Sequence, residues 1–135
     1  MAPKRPKGVP SDRHLQKLWR EAVLLEWGGK CVLESMACQG TLECHHIKKR
    51  RVPHLRHVSS NGVPLCKYHH AQAGYRETRQ RIEHLIGEST MEWLDMMEQK
   101  LFPSFLSLTR QTRTEYLVAR EKFLKKLIGT YKKEM

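Results

Sequence analysis

The chain has 135 residues, room for one domain with a modest core and no second independent one. With 25 Lys and Arg against 14 Asp and Glu it carries a net charge of +11 and a pI near 9.8, so a polyanion is its natural partner. Four cysteines without an apolar leader argue against a disulfide-stapled secreted domain and for reduced thiols in a cytoplasmic protein, and no repeat, low-complexity run or membrane span is readable.

Residues 1–10 combine Pro3, Pro6, Pro10 and Gly8 with Lys4, Arg5 and Lys7, and are expected to form a flexible basic arm, either a solvated tail or a contact for the partner. Ser11 or Asp12 can cap a helix in which Leu15, Leu18, Trp19, Ala22, Val23 and Trp27 recur at spacings of three and four; Gly28 and Gly29 stop it. That stripe, Trp19 included, reads as core. Residues 30–41 are loop-like and carry Cys31 and Cys38. A strand is expected over 42–47, holding His45 and His46, with Cys44 just before them reading as a small inward-packing side chain.

The connection 48–60 has the densest positive charge, from Lys48, Lys49, Arg50, Arg51 and Arg56, a set suited to phosphates without sequence preference. His54 and His57 lie in it and read as auxiliary phosphate contacts or plain surface. Asn61 and Gly62 form a turn dipeptide before a second strand over 62–66. Residues 67–81 lack proline and read as a helix through His69 and His70, continuing to Leu85 or Ile86 and ending near Gly87. Ser89, Thr90, Met91 and Glu92 fit a capping box for a helix with Trp93, Leu94, Met97 and Leu101, broken by Pro103; Met96 and Met97 read as gap-filling core. Thr112 to Glu115 repeats the box before a helix over 116–131 with Leu117, Phe123, Leu124, Leu127 and Ile128 on its apolar side. The last sixty or so residues are expected to pack on the rest, the basic final helix adding a secondary role with the polyanion.

His45-His46-Ile47, Asn61, and the run Leu65, Cys66, Lys67, Tyr68, His69, His70 together resemble the HNH, or ββα-metal, endonuclease family. The wider string, LWREAVLLEWGGKC leading to HHIKKR and NGVPLC, is most similar to small free-standing HNH proteins of bacteriophages and prophages. The resemblance implies an α+β, mostly helical fold: a zinc-stapled ββα-metal (His-Me finger) core with flanking N- and C-terminal helices. It divides the chain into a basic arm (1–10), a nuclease core with its first helix (11–87) and a helical extension packed on it (88–135). It implies His46 as general base, His45 and His70 as ligands of a divalent cation, and Asn61 as the residue ordering the loop. The implied substrate is double-stranded DNA in the bacterial host cytoplasm, cut to leave 5′ phosphate and 3′ hydroxyl ends. A homodimer or a phage DNA-processing partner stays open.

The chemistry explains these residue types. Phosphodiester hydrolysis needs a deprotonated water and a cation on the phosphate, and a neutral imidazole can take a proton near pH 7. Neighbouring strand residues face opposite sides, so His45 and His46 can share a site only where the strand ends. The family also implies a structural zinc bound by Cys31 with Cys38 and Cys66 with His69; the two-residue gap of the second pair suits one tetrahedral ion. Departures from the family pattern are the six-residue gap between Cys31 and Cys38, with Glu34 where a closer partner would stand, His69 where Cys is common, and Gly74 where some members place another metal-binding His. With two protein ligands left, the catalytic ion is expected to be Mg²⁺, or Mn²⁺ or Ni²⁺. The competing readings are a zinc-dependent DNA-binding module with an inactive HNH site, and a nuclease directed at junctions or RNA.

Overall fold

The computed structural model describes residues 7–50, 52–106 and 109–134, with backbone alone over 100–106. Arg51, most of the basic arm and the side chain of Leu101 therefore lie outside the described residues. Within them the chain is mostly helical around a two-stranded antiparallel sheet: α1 (Asp12–Glu26), β1 (Leu42–His46), a 3-10 turn (Ser59–Asn61), β2 (Gly62–Cys66), α2 (Lys67–Ala71), α3 (Arg76–Ile86), α4 (Glu88–Leu106) and α5 (Arg110–Glu134).

Every residue of β2 is buried, and β1 pairs with it from Leu42 opposite Cys66 to His46 opposite Gly62. Along its other edge the cysteine loop is tied on, Val32 N–H donating to the Pro64 carbonyl at 2.9 Å. Pro64 has no N–H to offer the ladder, which fits a strand paired by only one neighbour. Gly62 is required by close approach: a Cβ there would lie 2.4 Å from Trp19 Cζ2 and 2.8 Å from Val23 Cγ2, so α1 lies directly on the start of β2.

Helix α1 begins as its sequence indicates, Ser11 Oγ accepting the His14 N–H at 3.0 Å, and ends at Gly28 and Gly29, both at positive φ. Its stripe of Leu15, Trp19, Ala22 and Val23 packs against Leu124 and Ile128 of α5. A second core joins Cys31, Leu33, Val63, Leu65, Ala73 and Ile82, and a third sets Val52, Leu55 and Val58 of the basic connection against Leu94 of α4.

Six expectations need correction. The helix anticipated from residue 67 to the mid-eighties is two helices, because Gln72, Ala73 and Tyr75 form tight turn bonds to His69, His70 and Gln72 while Ala73 is drawn into the core; Gly74 adds helix-breaking freedom there. Helix α4 starts at Glu88, where the Gly87 carbonyl accepts from Met91 N–H at 3.1 Å, before the anticipated capping box, and it continues through Pro103. Helix α5 starts at Arg110 because Thr109 Oγ1 accepts the Thr112 N–H at 3.2 Å, six residues ahead of the expected start. Phe123 and Met96 are 51% and 43% exposed: the face of α5 turned to α1 is Leu117, Leu124 and Ile128, which leaves Phe123 under the Arg120 guanidinium at 5.3 Å.

Candidate metal cluster and catalytic cleft

Two separate groups of candidate functional side chains flank the sheet. In the first, Cys31, Cys38, Cys66 and His69 meet with their ligand atoms all within 4.8 Å of one another, so they could hold a metal ion. The sulfurs of Cys31, Cys38 and Cys66 lie 3.4, 3.5 and 3.2 Å from Nδ1 of His69. Local structure produces this. Cys66 ends β2 and caps α2, its sulfur accepting the His69 N–H at 3.4 Å, which puts residues 66 and 69 on one side of a helical turn. Turn bonds from Glu34 N–H to Cys31 and from Cys38 N–H to Ser35 fold the six-residue gap back on itself, and Tyr68 N–H donates to Gln39. Gly40 (φ +82°) lets that loop lie on Lys67, whose Cβ would be 2.7 Å from an added Cβ.

Burial pushes the Cys31 thiol up to about 11. For Cys66 burial acts the same way but is outweighed by the N–H groups of His69 and Gln39 with help from Cys38, which draw it down to about 6. The cluster thus offers one ready thiolate and one thiol that a bound cation would have to deprotonate. Cys44 stands apart, packed among the side chains between α1 and α5, with its sulfur 3.6 Å from the Arg20 carbonyl.

The second group lines a cleft of about 580 Å³ between β1, the start of the basic connection and α3, with His45, His46, Lys48, Lys49, Arg76, Arg79, Gln80 and Glu83 in its wall. Glu43 and His45 lie on one face of β1 and Cys44 and His46 on the other; because the strand stops at His46, both rings border the same space. His45 meets the edge of the His70 ring at 5.4 Å between centroids. His70 Nδ1 bonds the Glu43 carboxylate. A carboxylate only accepts, so Nδ1 is the donor and Nε2 is the ring nitrogen left to face a cation, the arrangement by which an outer carboxylate orients a metal-binding histidine. That hydrogen bond holds Glu43 below the usual carboxylate range, and burial pulls His45 down to about 4, so His45 is neutral at pH 7. His45 and His70 stand as a pair; among the described residues the Cys3His set is the one tight cluster of three or more ligand groups.

His46 is held differently. Its ring stacks on Trp19 at 3.9 Å with 5° between planes, and its Nε2 lies 2.9 Å from the Arg56 carbonyl. The carbonyl can only accept, so the proton sits on Nε2 and Nδ1 is a free base. Burial, outweighing that carbonyl, keeps His46 below the ordinary histidine range and therefore neutral. Asn61, fully buried, spans the connection: Nδ2 donates to the Lys48 and Leu55 carbonyls at 3.1 and 3.0 Å, and Oδ1 accepts the Lys48 N–H at 2.6 Å.

Several basic residues are already paired. Lys48 bonds Asp95 and lies 3.5 Å from Glu98, while Arg50 and Arg56 reach Asp12 at 3.4 and 3.1 Å. His54 and His57 are not surface groups: they are 5% and 4% exposed, with Nε2 on the Met97 carbonyl and on Asp12 Oδ1. The connection is folded inward by the Val52, Leu55 and Val58 core, which carries these rings with it. Sequence reasoning missed Glu43, Arg76, Arg79 and Asp12. The two-residue spacing of Glu43 and His45 on a strand was a readable signal; nothing local marked the other three.

Compared with known proteins, the chain matches no family model, no curated protein and no solved structure.

Proposed function

We propose that this chain is a metal-dependent HNH endonuclease that hydrolyses DNA, with zinc in the Cys3His cluster. The observation carrying the reading is the state of His46: neutral, its Nε2 proton committed to a carbonyl and its Nδ1 lone pair free, at a cleft it shares with His45 and with cationic side chains from two elements. A non-catalytic binding surface has no need of a base prepared in this way.

Zinc is favoured by the donor set. With Zn–S roughly 2.3 Å and Zn–N roughly 2.0–2.1 Å, a tetrahedron has S···N edges of roughly 3.5 Å, and the three separations here run from 3.2 to 3.5 Å. His45, in the wall of the cleft, and His70, whose ring meets it, would hold a divalent cation, which when bound supplies charge neutralisation on the phosphate and the leaving 3′ oxygen. The residues do the rest. His46 Nδ1 takes the proton from a water, the water oxygen forms the new bond to phosphorus, and the P–O3′ bond breaks with its electron pair leaving on the 3′ oxygen. Lys49, Arg76 and Arg79 hold the phosphates on either side.

The test is supercoiled plasmid incubated with Mg²⁺, Mn²⁺ or Ni²⁺, with and without EDTA, for the wild type and His46→Ala. Nicking that EDTA and the substitution both remove is the expected result. Intact plasmid with every cation would favour the binding module, and running linear duplex, a four-way junction and single-stranded RNA alongside separates the substrate classes.

A further inference from the structure

The base is oriented from a distance. Asp12, in the first turn of α1, takes three donors on one carboxylate: Oδ1 receives Arg56 Nη1 at 3.1 Å and His57 Nε2 at 3.0 Å, and Oδ2 faces Arg50 Nη2 at 3.4 Å. Arg56 Nε also donates to the Arg50 carbonyl at 2.8 Å, closing the connection into a small ring. The carbonyl of that same Arg56 accepts the His46 Nε2–H. Two helical turns beyond Asp12, on the same side of α1, Trp19 presents its face to His46 and anchors its own indole N–H on the Val58 carbonyl at 2.9 Å. One helix therefore grips the imidazole twice, once by a ring face and once through the loop that Asp12 ties down.

We infer that Asp12 is the positioning residue for His46: by clamping Arg50, Arg56 and His57 it fixes the Arg56 carbonyl, and that carbonyl decides which ring nitrogen faces the cleft. Ring stacking alone cannot make this choice, because a half-turn of the imidazole about χ2 leaves the stack on Trp19 intact while exchanging its two edges. The carbonyl breaks that symmetry, since only a protonated nitrogen can point at it. An acid at the start of α1 that would ordinarily serve the helix dipole thus also sets the orientation of a base more than thirty residues away. The catalytic consequence rests on the nuclease reading; the clamp itself does not.

The experiment uses the full chain with ¹⁵N-labelled histidine. A ring N–H held on a carbonyl exchanges slowly and gives a visible proton signal, which His46→Gln assigns by its disappearance. Wild type is expected to give the His46 Nε2–H signal, and Asp12→Ala to lose it by exchange while plasmid nicking falls about 10²-fold, the lower end of what a positioned general base contributes. Unchanged far-ultraviolet circular dichroism and metal content show that the fold survives; if Asp12→Ala does not fold, Asp12→Asn, which keeps one acceptor oxygen but cannot serve three donors, gives the same readout. Survival of the His46 signal in the folded variant overturns the clamp. If the wild type shows the signal, loses it on substitution and never cuts DNA, the clamp stands and the nuclease reading fails.

Discussion

Two groups of histidines in this chain are held in opposite ways: His69 among three cysteines, and His45 with His46 at the cleft. His69 and its three cysteines need only be brought close, because a metal would supply the geometry once four donors are within reach. His45 and His46 are adjacent in a strand yet serve one cleft from two faces, and each owes its tautomer or environment to a distant residue: Trp19 and the Arg56 carbonyl for His46, burial and the Glu43-bonded His70 beside it for His45. On the proposed function, the cluster is a metal staple and His46 a proton acceptor, and a staple tolerates imprecision that a proton acceptor does not. The staple should therefore fail all at once when a ligand is lost, and the cleft should fail by degrees when its supports are moved.

The largest effect is expected from Cys66→Ala, which removes a ligand, the cap of α2 and part of the core together. Structural zinc in small sites is worth about 10 kcal/mol or more, so the variant should be unfolded at room temperature, as should the wild type after strong chelation; circular dichroism with metal analysis reads this, and a cooperative melt near the wild-type temperature would refute the staple. His46→Ala should instead fold and lose about 10²–10⁴-fold in nicking rate, the sharpest contrast between the two groups.

Acid should erode the cleft's supports first. Burial, opposed by Asp12, pulls His57 down to about 4, and its Nδ1 is buried with no hydrogen-bond partner among the described residues, as suits a neutral ring. The unfolded chain binds that proton near pH 6.5 and the folded one only near 4, so the stabilisation is complete above about 6.5 and is lost as pH falls between those values, by on the order of 2–3 kcal/mol. Chemical denaturation of wild type and His57→Gln across that window should differ in slope, the variant being flatter; parallel curves would mean His57 is charged in the fold. Gly62→Ala is the mildest break. Its Cβ meets the Trp19 ring at 2.4 Å, so the indole must shift at a cost of about 1–3 kcal/mol, and nicking should fall while metal content holds.

Much of this was readable from the residues. The Ser11 cap, the stripe of α1 and the stop at Gly28 are local signals, and β2 follows from a short apolar run after Asn61. The four members of the Cys3His cluster were named from the resemblance to the HNH family, and only the two-residue gap between Cys66 and His69 had a local geometric reason, since one helical turn closes it. The breaks at Gln72 and the run of α4 past Pro103 were not readable, since tertiary packing decides whether a marginal helix continues. The inward turn of His54 and His57 was hidden too: a basic loop looks solvated until its Val52, Leu55 and Val58 find a partner in Leu94.

The sequence by itself determined the inventory: which side chains can bind a soft metal, which can take a proton at neutral pH, and an excess of positive charge suited to a polyanion. Tertiary structure alone decided orientation. Whether His46 offers Nδ1 or Nε2, whether Arg56 faces a phosphate or Asp12, and whether Glu43 serves His70 all depend on contacts between residues far apart in the chain. Chemical identity belongs to each residue, whereas the direction of a hydrogen bond belongs to the pair that makes it.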